Sequence, residues 1–262
     1  MSHTKIVIAT GIAVAVLAPV LQLTLQTFNY VAGALAYLLV LTLFGVGLWI
    51  YLRLTRIEFG WRWGQLSDYV IAVIHPMIAI LSLAIFAAYK GQIDLSSLFN
   101  PATLLRDIAI MATATFVGVL ISEEGFFRGA LWGAAKRAKW NTFSIVLWTT
   151  FCFVAWHIAV PFVDVNYQIP IPVMPVYFVN ATLISLAFAL MRLGSGSILT
   201  ASVAHGVWNG LSYNLFGYGA KAGELGVAEF GVYGPERGIL GLVVNSIALL
   251  VLIFWARSRL KQ

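Results

Sequence analysis

The chain has 262 residues, 61% of them hydrophobic and 10% charged, whereas soluble domains run about 45–50% apolar and about 25% charged. That composition excludes a water-soluble globule, and 17 Phe, 9 Trp and 10 Tyr exclude a disordered chain. The single cysteine, Cys152, excludes an intramolecular disulfide framework and a Cys-rich zinc module. A net charge of +6 without any Lys/Arg tract interleaved with aromatics fits basic loops beside a bilayer, and nucleic acid is not an expected partner.

A spanning helix needs about 20 mostly apolar residues, and the hydropathy predicts an all-α, polytopic bundle of about eight transmembrane helices. The first two spans cover Ile6 to Leu25 and Val31 to Leu52. Lys5 followed by an apolar run and Ala13-Val14-Ala15 resembles a signal peptide, but the run continues to Leu25, so a retained helix is expected. A basic aromatic loop (Arg53, Arg56, Trp61, Arg62, Trp63) precedes the third span, Tyr69 to Tyr89, and a polar loop through Asp94, Ser96, Asn100 and Pro101 follows it. The fourth element reads as one long tilted helix from about Leu104 to Arg137, carrying Ser122-Glu123-Glu124 part-way along. The remaining spans are Thr142 to Val160, Met174 to Met191, Ser197 to Leu215 and Gly238 to Trp255. No internal repeat or soluble segment is visible, so residues 1–262 read as a single transmembrane domain.

Loop charge sets the expected orientation. With the N-terminus inside, that side collects Lys5, Arg53, Arg56, Arg62, Arg128, Lys136, Arg137, Lys139, Arg192, Arg257, Arg259 and Lys261, and the other side only Lys90, Arg106, Lys221 and Arg237. Both termini are therefore expected in the cytoplasm.

A turn at Ala138 to Trp140 makes the fourth and fifth elements an antiparallel hairpin. Glu123 lies 17 residues before Trp140 and His157 lies 17 after it, so the two reach nearly the same depth. His205, only about 12 Å into its span at 1.5 Å per residue, matches that depth if the hairpin tip projects beyond the membrane.

Ionisable groups inside hydrocarbon are costly and mark functional sites by default. Glu124 reaches Arg128 at i,i+4, which leaves Glu123 for proton chemistry; an interfacial salt bridge at a helix end explains the same residues. His157 is either a packed, hydrogen-bonded histidine or the proton-handling partner of Glu123. His205 and Asn209, four apart on one face, either supply two donors to a developing oxyanion or act as interhelical glue. His75 before Pro76, together with Asn180, Asn245 and Cys152, reads as structural.

Three motifs stand in order: Glu-Glu-x-x-x-Arg at Glu123 to Arg128, Phe-x-x-x-His at Phe153 to His157, and His-x-x-x-Asn at His205 to Asn209. Over residues 105–215 this set resembles the CPBP family of intramembrane proteases (the Abi or CAAX-protease family, which includes Rce1-type CAAX prenyl endopeptidases), with 1–104 and 216–262 as flanking spans. The resemblance implies an integral membrane peptidase of a prokaryotic plasma membrane or an ER-type membrane. It implies that Glu123 and His157 activate a water, that His205 and Asn209 hold the oxyanion, and that Glu124 and Arg128 tune Glu123. The expected partners are the bilayer and a membrane-embedded or lipid-modified protein or peptide, prenylated in the CAAX case; the residues that would bind this substrate are not identified. The family is also labelled metalloprotease, and Glu123, His157 and His205 would then be the zinc ligands. With no His-Glu-x-x-His arrangement in the chain, no cofactor is required for the roles above.

Two other functions compete. A proton-coupled transporter also uses buried Glu and His, but such folds carry repeats that this chain lacks. A non-catalytic scaffold needs degenerate motifs, and these are complete. The prolines from Pro161 to Pro175 (Pro161, Pro170, Pro172, Pro175), next to His157, are expected to shape a substrate entrance.

Overall fold

The computed structural model describes residues 2–94, 101–158, 160–163, 169–218 and 221–260; the expected loop residues Ser96 and Asn100 lie outside these. Helices dominate: α1 (His3–Gln26), α2 (Tyr30–Leu52), the single turn α3 (Arg56–Phe59), α4 (Leu66–Tyr89) and α5 (Pro101–Ile121). A π-helical segment, Gly125–Leu131, leads into α6 (Trp132–Arg137), α7 (Thr142–Ile158), the short α8 (Val160–Val163), α9 (Met174–Ser195) and α10 (Ile198–Leu215). A two-residue ribbon follows, β1 (Gly217–Tyr218) pairing antiparallel with β2 (Lys221–Ala222), then α11 (Phe230–Tyr233) and α12 (Ile239–Arg259).

The all-α polytopic bundle is as expected, with a difference in the number of spans. Among the described residues six helices are long and apolar enough to cross a membrane, not eight. Of the other two expected spans, α7 is described over Thr142–Ile158 and α8 over Val160–Val163, with residue 159 outside the described residues, and α10 carries His205, Asn209 and Asn214 and falls short of the required apolarity. The fourth element is the expected long helix, running over Pro101–Arg137, with a π-helical stretch at Gly125–Leu131 between α5 and α6. A π bulge inserts a residue per turn and re-aims the side chains around it, and such bulges concentrate at functional sites.

The apolar faces form two main clusters. One joins α1, α2, the π segment, α6 and α7 around Leu41, Phe126, Phe127 and Trp132. The other joins α4, α9, α10 and α12 around Ile80, Leu83, Phe188 and Met191. Helices in lipid associate through close backbone approach and polar contacts rather than through exclusion of water, and α5 with α10 shows this. A Cβ added at Gly206 would lie 2.5 Å from the Ala112 carbonyl oxygen, so only glycine lets α10 sit this near α5. In contrast, α2 packs on α1 and the π segment, α5 packs on α10, and the two helices meet each other very little.

One end of the bundle is tied by basic side chains. Arg137 pairs with Glu58 at 2.7 Å and donates to the carbonyls of Leu52 (2.6 Å) and Arg53 (2.9 Å). Arg259 meets Asp68 at 3.0 Å, Trp140 reaches Thr4 at 3.4 Å, and the Ser197 hydroxyl donates to the Arg62 carbonyl. The N-terminal end of α1 and the C-terminal end of α12 therefore lie at the same end of the bundle as the residues expected to face the cytoplasm.

Candidate active site

Glu123 and Glu124 occupy the junction between α5 and the π segment. The junction is sterically fixed, because a Cβ at Gly125 would fall 2.5 Å from the Leu120 carbonyl oxygen. The two carboxylates then part. Glu124 is fully buried; its Oε1 lies 3.4 Å from Arg128 Nη1 and 3.0 Å from His205 Nδ1. Glu123 points into a cavity of about 450 Å³. Its Oε2 is buried with no hydrogen-bond partner, 3.9 Å from His157 Nε2 and 4.0 Å from His205 Nε2. The equal-depth relation of Glu123 and His157 thus holds, and His205 joins them at that depth.

Each histidine is oriented through its other nitrogen. His157 Nδ1 lies 2.9 Å from the Phe153 carbonyl; a carbonyl only accepts, so Nδ1 carries the proton and Nε2 of the neutral ring is an acceptor facing Glu123. His205 Nδ1 is engaged by the Glu124 carboxylate, which turns its Nε2 toward Glu123. Phe188 stacks on the His205 ring at 4.5 Å and Phe153 lies 4.2 Å from His157, so packing restricts both rings. Asn209 lines the same cavity.

Arg128 is fully buried, and a buried cation is tolerated only when it is paired; its two terminal nitrogens are engaged, while Nε has no partner. Arg128 donates to the Ser185 carbonyl (2.8 Å) and hydroxyl (2.7 Å), pairs with Glu124, and lies 4.5 Å from the Phe153 ring centre. Arg192 donates to the Arg128 carbonyl at 3.0 Å and to the Glu58 carbonyl at 3.2 Å. Sequence reading placed Arg192 in a loop; α9 instead continues to Ser195 and buries it. Asp68 and Arg237 are buried as well, so Glu123, Glu124 and Arg128 are not the sole charges taken out of the loops. Ser185, Phe188 and Arg192 were missed as site residues, although their i, i+3, i+7 spacing puts them on one face of α9.

The remaining residues sort differently. His75 lies on α4 and Cys152 packs in the first core cluster, and neither lines the cavity. Asn245 donates to Asn180 Oδ1 (2.9 Å) and the Pro235 carbonyl (3.0 Å), and Asn180 donates to the Gly238 carbonyl (3.3 Å). This clasp holds the loop that brings Glu236 to Trp208 Nε1 at 3.0 Å. The proline entrance is not supported: among the described residues none of Pro161, Pro170, Pro172 and Pro175 lines the site cavity, and Pro170 lines a separate one of about 260 Å³. Residues 164–168 of that stretch lie outside the described residues. The cavity instead extends from Glu123 to Tyr218, Lys221 and Glu236 at the end opposite the basic one, and Leu38 of α2 and Met111 of α5 stand on its flank.

The donor set was tested against zinc. Three donors each about 2.0–2.1 Å from a tetrahedral ion stand about 3.3 Å apart, closer than the 3.9 and 4.0 Å found here. Among the described residues no group of three His, Cys, Asp or Glu is arranged to hold a metal ion. The residues as placed do not fit one.

Fold and site together define a polytopic helical membrane protein with a buried carboxylate–imidazole cluster. Residues 105–211 match the family model described as type II CAAX prenyl endopeptidase, Rce1-like. The match is consistent with the CPBP resemblance read from the motifs, and it supports an intramembrane peptidase acting on a membrane-associated protein substrate. No curated protein and no solved structure matches the chain.

Proposed function

We propose that the protein is an endopeptidase in which Glu123 and His157 activate a water against a peptide carbonyl. The observation that carries this is the 3.9 Å gap between Glu123 Oε2 and His157 Nε2. It is too long for a direct hydrogen bond and suits one water donating to both atoms. In that pose the water directs a lone pair away from both acceptors, towards the cavity.

The water oxygen adds to the substrate carbonyl carbon as its proton passes to Glu123. His205, held through Nδ1 by Glu124, donates from Nε2 to the resulting oxyanion, and Asn209 donates from Nδ2. Collapse breaks the C–N bond, and Glu123 returns its proton to the departing amine. Glu124 and Arg128 act through His205 and Glu123 as positioning residues. No step requires a metal.

The substrate is read as a membrane-embedded or lipid-modified peptide, prenylated in the CAAX case. The gap between α2 and α5, flanked by Leu38 and Met111, gives a chain in the bilayer a sideways path to Glu123. By the distribution of charge, the end that holds Arg53, Arg137 and Arg259 faces the cytoplasm, with both termini. The test is cleavage of a prenylated C-terminal peptide by purified protein in lipid: wild type releases the C-terminal fragment and Glu123→Gln does not.

A further inference from the structure

The cavity wall contains a buried, unpartnered polar group that the catalytic reading leaves unused. Gln22, on α1 and outside the Rce1-like segment, lines the cavity together with the α10 residues Asn209, Tyr213 and Asn214. It is 2% exposed, and its Oε1 is buried with no hydrogen-bond partner. An unpaired buried carboxamide costs about 1–3 kcal/mol, and leucine would fill this apolar stretch of α1 without that cost. The polar groups nearby do not relieve it. The neighbouring Tyr37 hydroxyl is committed to the Trp156 carbonyl at 2.7 Å, and the Asn214 amide donates to the Gly210 carbonyl at 2.8 Å.

From this we infer that Gln22 is a substrate-binding residue that hydrogen-bonds the peptide backbone of a chain lying extended along the cavity. A carboxamide carries one acceptor and a two-proton donor, the complement of a peptide unit. It reads main chain rather than side chain, so it suits a cavity whose other lining groups are largely aromatic and aliphatic. The substrate class that follows is an extended, unpaired peptide segment, since a helical segment has no free backbone groups to offer. This rests on the peptidase reading above.

The test uses the full-length protein in nanodiscs with a fluorescent, prenylated peptide ending in a free carboxylate. In the Glu123→Gln background, Gln22→Leu weakens peptide binding about 5- to 30-fold, the worth of a hydrogen bond. In the active protein it raises KM by a similar factor and changes kcat less than about 2-fold. Its thermal midpoint stays level or rises, because an unpaired polar group has been removed; a structural glutamine would give a lower one. A peptide N-methylated at the contacted amide binds wild type as weakly as the parent peptide binds Gln22→Leu, with no further loss in that variant. Unchanged binding and KM in Gln22→Leu, or a lowered midpoint without a change in KM, overturns the inference. The two readings separate cleanly: a peptide bound in a Gln22-dependent way yet never cut sinks the peptidase, and a peptide cut with equal KM by Gln22→Leu sinks only the role of Gln22.

Discussion

His205 Nδ1 lies 3.0 Å from Glu124 Oε1, and that contact turns the other ring nitrogen toward Glu123, 4.0 Å away. Two adjacent carboxylates therefore do different work. Glu124 is held by both Arg128 and His205, and Glu123 is left with an unpartnered oxygen facing the cavity. Glu124→Gln keeps the shape but removes the charge that compensates Arg128, and breaking a buried pair costs about 3–5 kcal/mol. We expect a large drop in thermal midpoint together with loss of turnover. Glu123→Gln, which disrupts no hydrogen bond, is expected to unfold near the wild-type temperature. Differential scanning fluorimetry of both variants in one detergent checks this ordering.

The π segment gives a prediction with an internal control. Gly125→Ala forces a methyl group against the Leu120 carbonyl oxygen, and overpacking of this kind costs about 1–3 kcal/mol. The strain falls on the turn that aims both carboxylates, so peptidase activity is expected to fall more than stability does. Gly118→Ala, two turns earlier on α5 with nothing within 4 Å of the added Cβ, should be neutral or stabilised by up to about 1 kcal/mol. Equal activity in the two variants would contradict a positioning role for the π segment.

Much of this was legible in the sequence, and the parts that were not have physical reasons. Helices α1, α2, α4, α9 and α12 follow from apolar runs of spanning length, and the equal depth of Glu123 and His157 follows from equal spacing about Trp140. The π segment was not readable, because Phe126 to Leu131 are compatible with either helical form and the choice lies in backbone packing around Gly125. Arg192 was misplaced because an arginine after an apolar run resembles a loop residue; only the nearby Arg128 and Glu58 carbonyls show that it can be buried. Gln22 carried no local signal either. Its position in the cavity wall depends on how α1 packs against α2 and α7, which no spacing within α1 reveals.

Tyr37 offers a test of positioning without chemistry. Its hydroxyl donates to the Trp156 carbonyl and its ring stacks on Trp156 at 4.2 Å, which pins α7 beside His157. Tyr37→Phe keeps the stack and loses one hydrogen bond, about 1 kcal/mol. The expectation is a several-fold fall in kcat with KM unchanged. A change in KM alone would instead make Tyr37 part of substrate binding.

At the basic end, the hydrogen bond from Arg137, assisted by the Thr55 backbone and side chain, holds Glu58 down to a pKa of about 2 against burial, which raises it. A carboxylate whose folded pKa lies below its unfolded value adds stability above about pH 4.5 and loses it as pH falls towards 2. The thermal midpoint of wild type should therefore decline from about pH 5 to pH 2 more steeply than that of Glu58→Gln. Parallel curves would show that the Arg137–Glu58 pair adds nothing to the fold.

The spacing of Glu123, His157 and His205 suits a bridging water better than an ion, so extensive dialysis against a chelator should leave turnover within about 2-fold of the untreated enzyme. Loss of activity restored by zinc would reverse that assignment.

The most direct test of the central claim is cleavage in proteoliposomes, read by mass spectrometry of the released fragment, for wild type and Glu123→Gln at matched folding. Wild type should cut the prenylated peptide at one bond, and Glu123→Gln should bind it with similar affinity and cut it at least about 100-fold more slowly, the scale of a lost general base. A folded Glu123→Gln protein that cuts as fast as wild type would contradict the assignment.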